Sequence, residues 1–233
     1  MSAPDRTAAN SLRLAILLTL ANGSLDAYTF MARGGVFANV QTANVIFVGI
    51  DVSKRDWSGA LAQVYPILAF IVGAVLAAHL KSGRAPRFGG HPLPWVMAVQ
   101  ACVLVGIGFV PSSVSHSYVT VPIAFLAATQ IGLFRSVGDL GYLPVATTGI
   151  QLRFVETGYA ALMDRSGDSL RAFGVYGCLI LSFATGALIG AEVTRALDVR
   201  AIWLPAALIV LAGVMFVLEQ RRTVDGLSSD AKR

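Results

Sequence analysis

The chain holds 233 residues, 55% hydrophobic and only 13% charged, with a mean hydropathy of +0.68 and a formal net charge of +5. A soluble domain carries about a quarter charged residues, so these charges are too few for a water-facing surface, and a soluble enzyme is effectively excluded. No stretch interleaves basic and aromatic residues on a polar face, so the basic excess points to the cytoplasmic flank of a membrane protein, not to nucleic acid.

The first apolar segment runs from about Ser11 to Phe30 and carries Asn22 and Asp26. Those two interrupt the apolar core that a cleaved signal peptide would need, so the segment reads as a retained helix. Gly34-Gly35 opens a second segment, Val36 to Ile50, too short to span and holding Asn39, Gln41, Thr42 and Asn44. A charged turn, Asp51 to Asp56, leads to a third segment from Trp57 to Leu80, long enough to cross with tilt. The basic stretch from Lys81 to Pro94 is rich in Gly and Pro and reads as a loop. Segment four covers Trp95 to Val110, 111–117 is an uncharged turn, and segment five covers Val119 to Phe134. A polar, glycine-punctuated stretch from Arg135 to Ala146 precedes Thr147-Thr148-Gly149 and a short amphipathic helix to Asp164. Segments six (Ala172 to Val193) and seven (Ile202 to Leu218) follow, and 219–233 reads as a mobile polar tail. A membrane-spanning helix needs about 20 mostly apolar residues; 57–80, 88–134 and 201–218 contain no Asp, Glu, Lys or Arg at all.

Overlaying the halves reveals a repeat. Leu68, Phe70, Gly73, Ala74 and Ala78 keep a constant offset from Leu181, Phe183, Gly186, Ala187 and Ala191, and Thr42-Ala43-Asn44 lies against Thr148-Gly149-Ile150. Charge then selects a topology. If the two short segments dip in and return, most basic residues fall on the inner face, whereas complete crossings would put the basic 81–87 loop outside. The expected fold is an all-α polytopic membrane protein with six transmembrane helices plus two re-entrant short segments, at 34–51 and 141–164. Its two three-span repeats are inverted, a transporter signature. The expected order is a cytoplasmic segment 1–10, repeats over 11–110 and 111–218, and a cytoplasmic tail 219–233.

The run Asn22-Gly-Ser-Leu-Asp26-Ala, followed by Gly34-Gly-Val-Phe37 and Thr42-Ala-Asn44, resembles the YoaK-type bacterial membrane proteins. Ala146-Thr147-Thr148-Gly149 and Phe183-Ala-Thr-Gly186-Ala-Leu-Ile-Gly190 are similar to later motifs of that family. The resemblance covers nearly the whole chain. It implies about six spans and a membrane location, and no substrate, since the family is a domain of unknown function. Two positions depart from its pattern: Thr-Ala-Asn stands for Thr-Gly-Asn, and Gly132-Leu-Phe-Arg135 for Gly-Leu-Gln-Asn.

Asp26 is the sharpest candidate, because an ionisable group inside a span costs roughly 2.5–3.5 kcal/mol and should face protein or water. It reads either as a binding group or as a structural partner of Arg33 or Arg135. Asn22, Asp26 and Thr29 share one helix face at i, i+4 and i+7. Asn39, Thr42 and Asn44, with Thr147, Thr148 and Gly149 from the other half, sit at the starts of the short helices. Free N–H groups and a positive dipole end there suit an anion or a polar solute; the plainer reading is that these side chains cap a broken helix. Arg135 reads as an inner-face anchor or an anion contact. Gly73 with Ala77, and Gly186 with Gly190, are small-xxx-small pairs assigned to helix packing, and they also permit a homodimer. Cys102, Cys178 and the scattered histidines match no disulfide or metal spacing, and no H-E-x-x-H, G-x-S-x-G or P-loop is present. No catalytic residue, metal or cofactor is expected.

These features predict a permease, a secondary transporter or channel for a small polar or anionic solute, with Asp26 and both short-helix starts lining one cavity. The alternative is a non-transporting membrane scaffold or partner subunit. The expected location is the bacterial inner membrane, multi-pass, with both termini cytoplasmic. Its expected partners are membrane lipid and the solute, with no nucleic acid.

Overall fold

Charge-free apolar runs form the helices, and the breaks fall where glycine, proline or a left-handed residue interrupts them. The computed structural model describes residues 11–82, 92–134, 136–137, 140–141 and 147–230. In chain order these are α1 (Leu12–Ala32), α2 (Gln41–Ser53), α3 (Trp57–Lys81), α4 (Leu93–Ile107) and α5 (Ser117–Leu133). A small antiparallel hairpin follows, β1 (Ser136–Val137) on β2 (Leu140–Gly141), pairing Ser136 with Gly141 and Val137 with Leu140. Then come α6 (Thr147–Asp164), α7 (Gly167–Leu197), a 3-10 turn (Asp198–Ile202) and α8 (Trp203–Asp230).

Local signals set the ends. The Asp56 carboxylate accepts the Gly59 N–H at 2.9 Å and starts α3. Ser166 accepts the Ser169 N–H and starts α7. Asp198, at φ 50, stops α7 and turns the chain into the 3-10 segment.

Glycines decide how the helices cross. A Cβ on Gly186 would collide with the carbonyl of Leu20, and one on Gly190 would lie 2.5 Å from Ser24 Cα, so α1 and α7 meet backbone to backbone. In the other half, a Cβ on Gly73 would collide with the carbonyl of Phe125 and one on Gly132 with Ala77, so α3 and α5 meet the same way. In both crossings the residue numbers rise together, so the two helices of each pair run parallel. The glycines read from the sequence as packing positions are therefore engaged within one chain.

The helix pairing maps onto itself when the first four helices are exchanged for the last four. α1 on α7 becomes α5 on α3, α2 on α3 becomes α6 on α7, and α1 on α8 becomes α5 on α4. The contact of α4 with α8 is its own counterpart. Hydrogen bonds fix the ends of the bundle. Ser11 donates to Glu219 at one end, while Arg33 donates to the carbonyls of Val110 and Pro111, and Trp203 to that of Val105, at the other. Thus α1, α4 and α7 run one way, and α3, α5 and α8 run back.

The surface is inverted relative to a soluble protein. Leu68, Ile71, Val72 and Val75 of α3 and Leu181 and Leu188 of α7 are exposed, while Asn22, Asp26, Gln63, Gln100 and Gln130 are buried. Leu12–Ala32, Trp57–Lys81 and the continuous stretch Gly167–Arg222 are long and apolar enough to cross a membrane; α4 and α5 are shorter apolar helices. An apolar outside, with the polar groups of the spans turned inward among a hydrophobic core, is what lipid demands, and the chain is an all-α protein of membrane type.

Three boundaries differ from the sequence reading. The chain from Val36 to Val40 is outside any helix and α2 begins only at Gln41. α7 is longer at both ends than 172–193. Helix α8 runs on to Asp230 instead of releasing a tail at Glu219, because Glu219, Gln220, Arg221 and Arg222 are good helix formers despite their polarity.

Candidate functional site

Helix α1 ends at a sharp reversal. Gly34 and Gly35 adopt φ +81 and +71, and a Cβ on Gly34 would lie 2.7 Å from the His116 ring, so only glycine fits there. The rings of Phe30 and Phe37 stack across the reversal with centroids 4.8 Å apart. The chain then runs back down α1. The Ala38 N–H donates to Thr29 Oγ1 at 3.4 Å and the Asn39 N–H to Asp26 Oδ1 at 3.0 Å. The Asn39 side chain donates to Asn22 Oδ1 at 3.1 Å and to the Asn22 carbonyl at 3.3 Å. The face read at i, i+4 and i+7 is the one this returning segment covers. Asn22 to Arg33 is eleven residues, or about 16 Å at the helical rise.

Asn44 closes the loop. Its Oδ1 accepts the Phe37 N–H at 3.0 Å, and its Nδ2 donates to the Phe37 carbonyl and to Gln41 Oε1 at 2.9 Å. Gln41 donates in turn to the Ala38 carbonyl at 2.8 Å. Both amides hold the backbone of the break, while the start of α2 itself carries no side-chain cap.

The N-terminus of α2 faces a group of the chain's own. The amides of Asn39 and Val40, just ahead of its first residue, act on the Asp26 carboxylate. The sequence reading offers those donors to a solute; here a carboxylate uses them. Asp26 does not pair with Arg33. That guanidinium, fully buried, donates to Tyr28 Oη at 2.8 Å and to the Val110 carbonyl at 2.8 Å, tying the end of α1 to the end of α4.

Asn22, Asp26, Asn39 and Asn44 are thus brought together, each at most 3% exposed. Thr42, Thr148 and Gly149 are exposed and lie outside this cluster. Thr147 opens α6, and Arg135 lies outside the described residues. α2 packs on α3 and α6 on α7, and no extensive interface joins α2 to α6 among the described residues. Sequence reasoning missed the buried Arg33–Tyr28 pair as a tether. Their five-residue separation before a Gly-Gly turn was the available signal.

Two atoms of the cluster lack hydrogen-bond partners: Asp26 Oδ2 and Asn39 Oδ1. Both are oxygens. Buried polar groups are ordinarily satisfied, and these two acceptors belong to side chains that are each at most 3% exposed. Among the described residues no group of three metal-binding side chains occurs.

A family model described as "Protein of unknown function (DUF1275)" matches residues 14–215 of the chain. Neither a curated protein nor a solved structure matches it.

Proposed function

The chain belongs to the DUF1275 family, and on that premise we propose that it is a small secondary permease of the inner membrane, with six spans in two inverted repeats. Six helices alternating in direction support six crossings, with α2 and α6 as the short segments that do not cross. Three crossings per half is an odd number, so a second half of the same fold enters inverted, as in transporter repeats. Basic residues support the orientation. Arg13, Lys81, Arg165, Arg171, Arg221 and Arg222 lie toward the Ser11–Glu219 end, while at the other end Arg33 is buried and Lys54, Arg55, Arg195 and Arg200 lie among Asp51, Asp56, Glu192 and Asp198. By the positive-inside rule the first end is cytoplasmic, and so are both termini.

The observation that carries the functional reading is the depth of the polar break. Asn39 meets Asn22 about 16 Å below the end of α1, roughly half of a 30 Å hydrocarbon core. Irregular backbone at that depth is tolerated only where it is buried in protein or lines a cavity. A discontinuous segment at the midplane is where secondary transporters hold substrate. We assign solute contact to Asn22, Asp26 and Asn39, and the holding of the break to Asn44 and Gln41. The amides leading into α2 serve Asp26, and its second oxygen would repel an anion, so the solute class narrows to small polar molecules that donate hydrogen bonds. Membrane lipid is the other partner in this reading, and catalysis has no place in it.

The test is flux. Purified protein would be screened by thermal shift against small polar metabolites, and those that stabilise it measured for uptake into proteoliposomes. The reading expects uptake of at least one, absent from empty liposomes and reduced by Asn22→Ala. Folded, reconstituted protein that moves none of them would overturn it.

A further inference from the structure

The hydrogen bonds around Asp26 form a directed chain that ends on oxygen. Asn22 Nδ2 donates to the Leu18 carbonyl at 2.8 Å, so its Oδ1 must face Asn39. Asn39 therefore turns its Nδ2 toward two oxygens of Asn22, which fixes the amide's orientation by the network rather than by choice. Its Oδ1 is left over. The Asp26 carboxylate is served by the Asn39 N–H on Oδ1, and Oδ2 is left over as well. The Asn39 side chain adjoins this carboxylate. The cluster has a surplus of acceptors and a negative charge, and lacks one donor.

No countercharge fills that place among the described residues. On α1, Arg33 is committed to Tyr28 and to the carbonyls of Val110 and Pro111, and Arg13 lies near the opposite end of the helix. On α7, Glu192 and Arg195 pair with each other at 3.2 Å on the exposed surface, while Asp168 and Arg171 lie in its first turns, far along the helix. On α8, Glu219 accepts from Ser11, and Arg221 and Arg222 lie beyond it. In the 3-10 turn, Asp198 acts on Tyr28, and Arg200 flanks it. The groups that act on the Asp26 carboxylate are the amides of Asn39 and Val40.

We propose that Asp26 Oδ2 and Asn39 Oδ1 form the site of a small monovalent cation, a proton or a sodium ion, whose binding is coupled to that of the solute. A proton on Oδ2 would turn one orphan acceptor into a donor. A sodium ion would take both oxygens as ligands, as hard cations prefer. Either guest neutralises a buried carboxylate that the fold leaves uncompensated. The coupling, though not the site, rests on the permease reading.

The experiment uses the purified full-length chain in detergent, with two arms. One follows the thermal midpoint in sodium chloride against choline chloride at equal ionic strength. The other follows the infrared carbonyl band of a protonated carboxyl as the medium is acidified. One arm should respond in wild type, and the responding arm names the ion. Asp26→Asn should abolish that response. If this variant does not fold, Asn39→Ala serves in its place, weakening the half-saturating sodium concentration or the proton affinity by about tenfold through loss of one bond to a charged group. Silence in both arms, or a response unchanged by both substitutions, would overturn the site. Flux in proteoliposomes separates the two proposals. A cation response without flux defeats the permease alone, and solute flux that ignores the responding ion defeats the coupling alone.

Discussion

The crossing of α1 on α7 and the crossing of α5 on α3 are built alike and filled differently. In each, a glycine on the long helix admits a carbonyl of its neighbour, Leu20 on Gly186 and Phe125 on Gly73. A second small residue follows four positions on, Gly190 against Ser24 and Ala77 against Gly132. Each includes a hydroxyl bonded to its own helix, Ser24 to the Ala21 carbonyl at 2.9 Å and Thr129 to the Phe125 carbonyl at 2.9 Å. Beyond that the two part. α1 buries Asn22, Asp26 and Thr29 under a returning segment, whereas α5 buries Thr120, Thr129 and Gln130 and no ionisable side chain. Close packing therefore does not require a buried carboxylate.

The largest expected effect strikes both crossings equally. Gly186→Leu and Gly73→Leu each drive a side chain into backbone carbonyls that cannot give way, and each should cost more than about 3 kcal/mol, at or beyond the usual range for overpacking. Unfolding of the two purified variants measures this, and a full loss for one with tolerance of the other would break the equivalence of the crossings. Asn44→Ala comes next. It leaves the part-buried Phe37 N–H and C=O without their side-chain partner, at about 1–3 kcal/mol for the pair. Thr148→Ala, at an exposed position in the other half, should stay within about 0.5 kcal/mol. Equal costs for these two would erase the difference between the halves.

Gly34→Ala should be milder, about 1–2 kcal/mol for placing a side chain at a left-handed position, with contact against the His116 ring added. Chemical denaturation of wild type and variant reads this directly. The smallest effect concerns the cap of α3. The Gly59 N–H, followed by the Ser58 hydroxyl, holds the Asp56 carboxyl below its ordinary 3.8. A depressed carboxyl contributes stability above its unfolded value and loses it as the pH falls through the folded one. The thermal midpoint of wild type should therefore approach that of Asp56→Ala as the medium is acidified below 3.8, and a gap that persists there would contradict the cap.

Much of the fold was legible because its causes are local. Charge-free apolar runs at 57–80 and 201–218 give α3 and the apolar part of α8, and Gly34-Gly35 marks the reversal because only glycine adopts its conformation without strain. The polar stripe on α1 followed from helical spacing alone. The division of labour among the amides did not. Asn39 and Asn44 look equivalent in a list of polar residues, yet one reaches across to α1 and the other reaches back to Phe37. That distinction depends on where the returning segment lies, which no spacing encodes. The identity of the group at the start of α2 was hidden for the same reason. The N–H groups leading into α2 invite an anion, and only the tertiary path shows that Asp26 accepts from them.

The central claim, two like halves entering the membrane from opposite sides, is tested most directly by sidedness. With Cys102 and Cys178 replaced, Ser82→Cys, beyond α3, and Ser113→Cys, beyond α4, would be probed singly in intact cells with a membrane-impermeant thiol reagent. The account predicts that Ser82→Cys is protected until the inner face is opened, and that Ser113→Cys labels from outside at once. Labelling of both from the same side would contradict it.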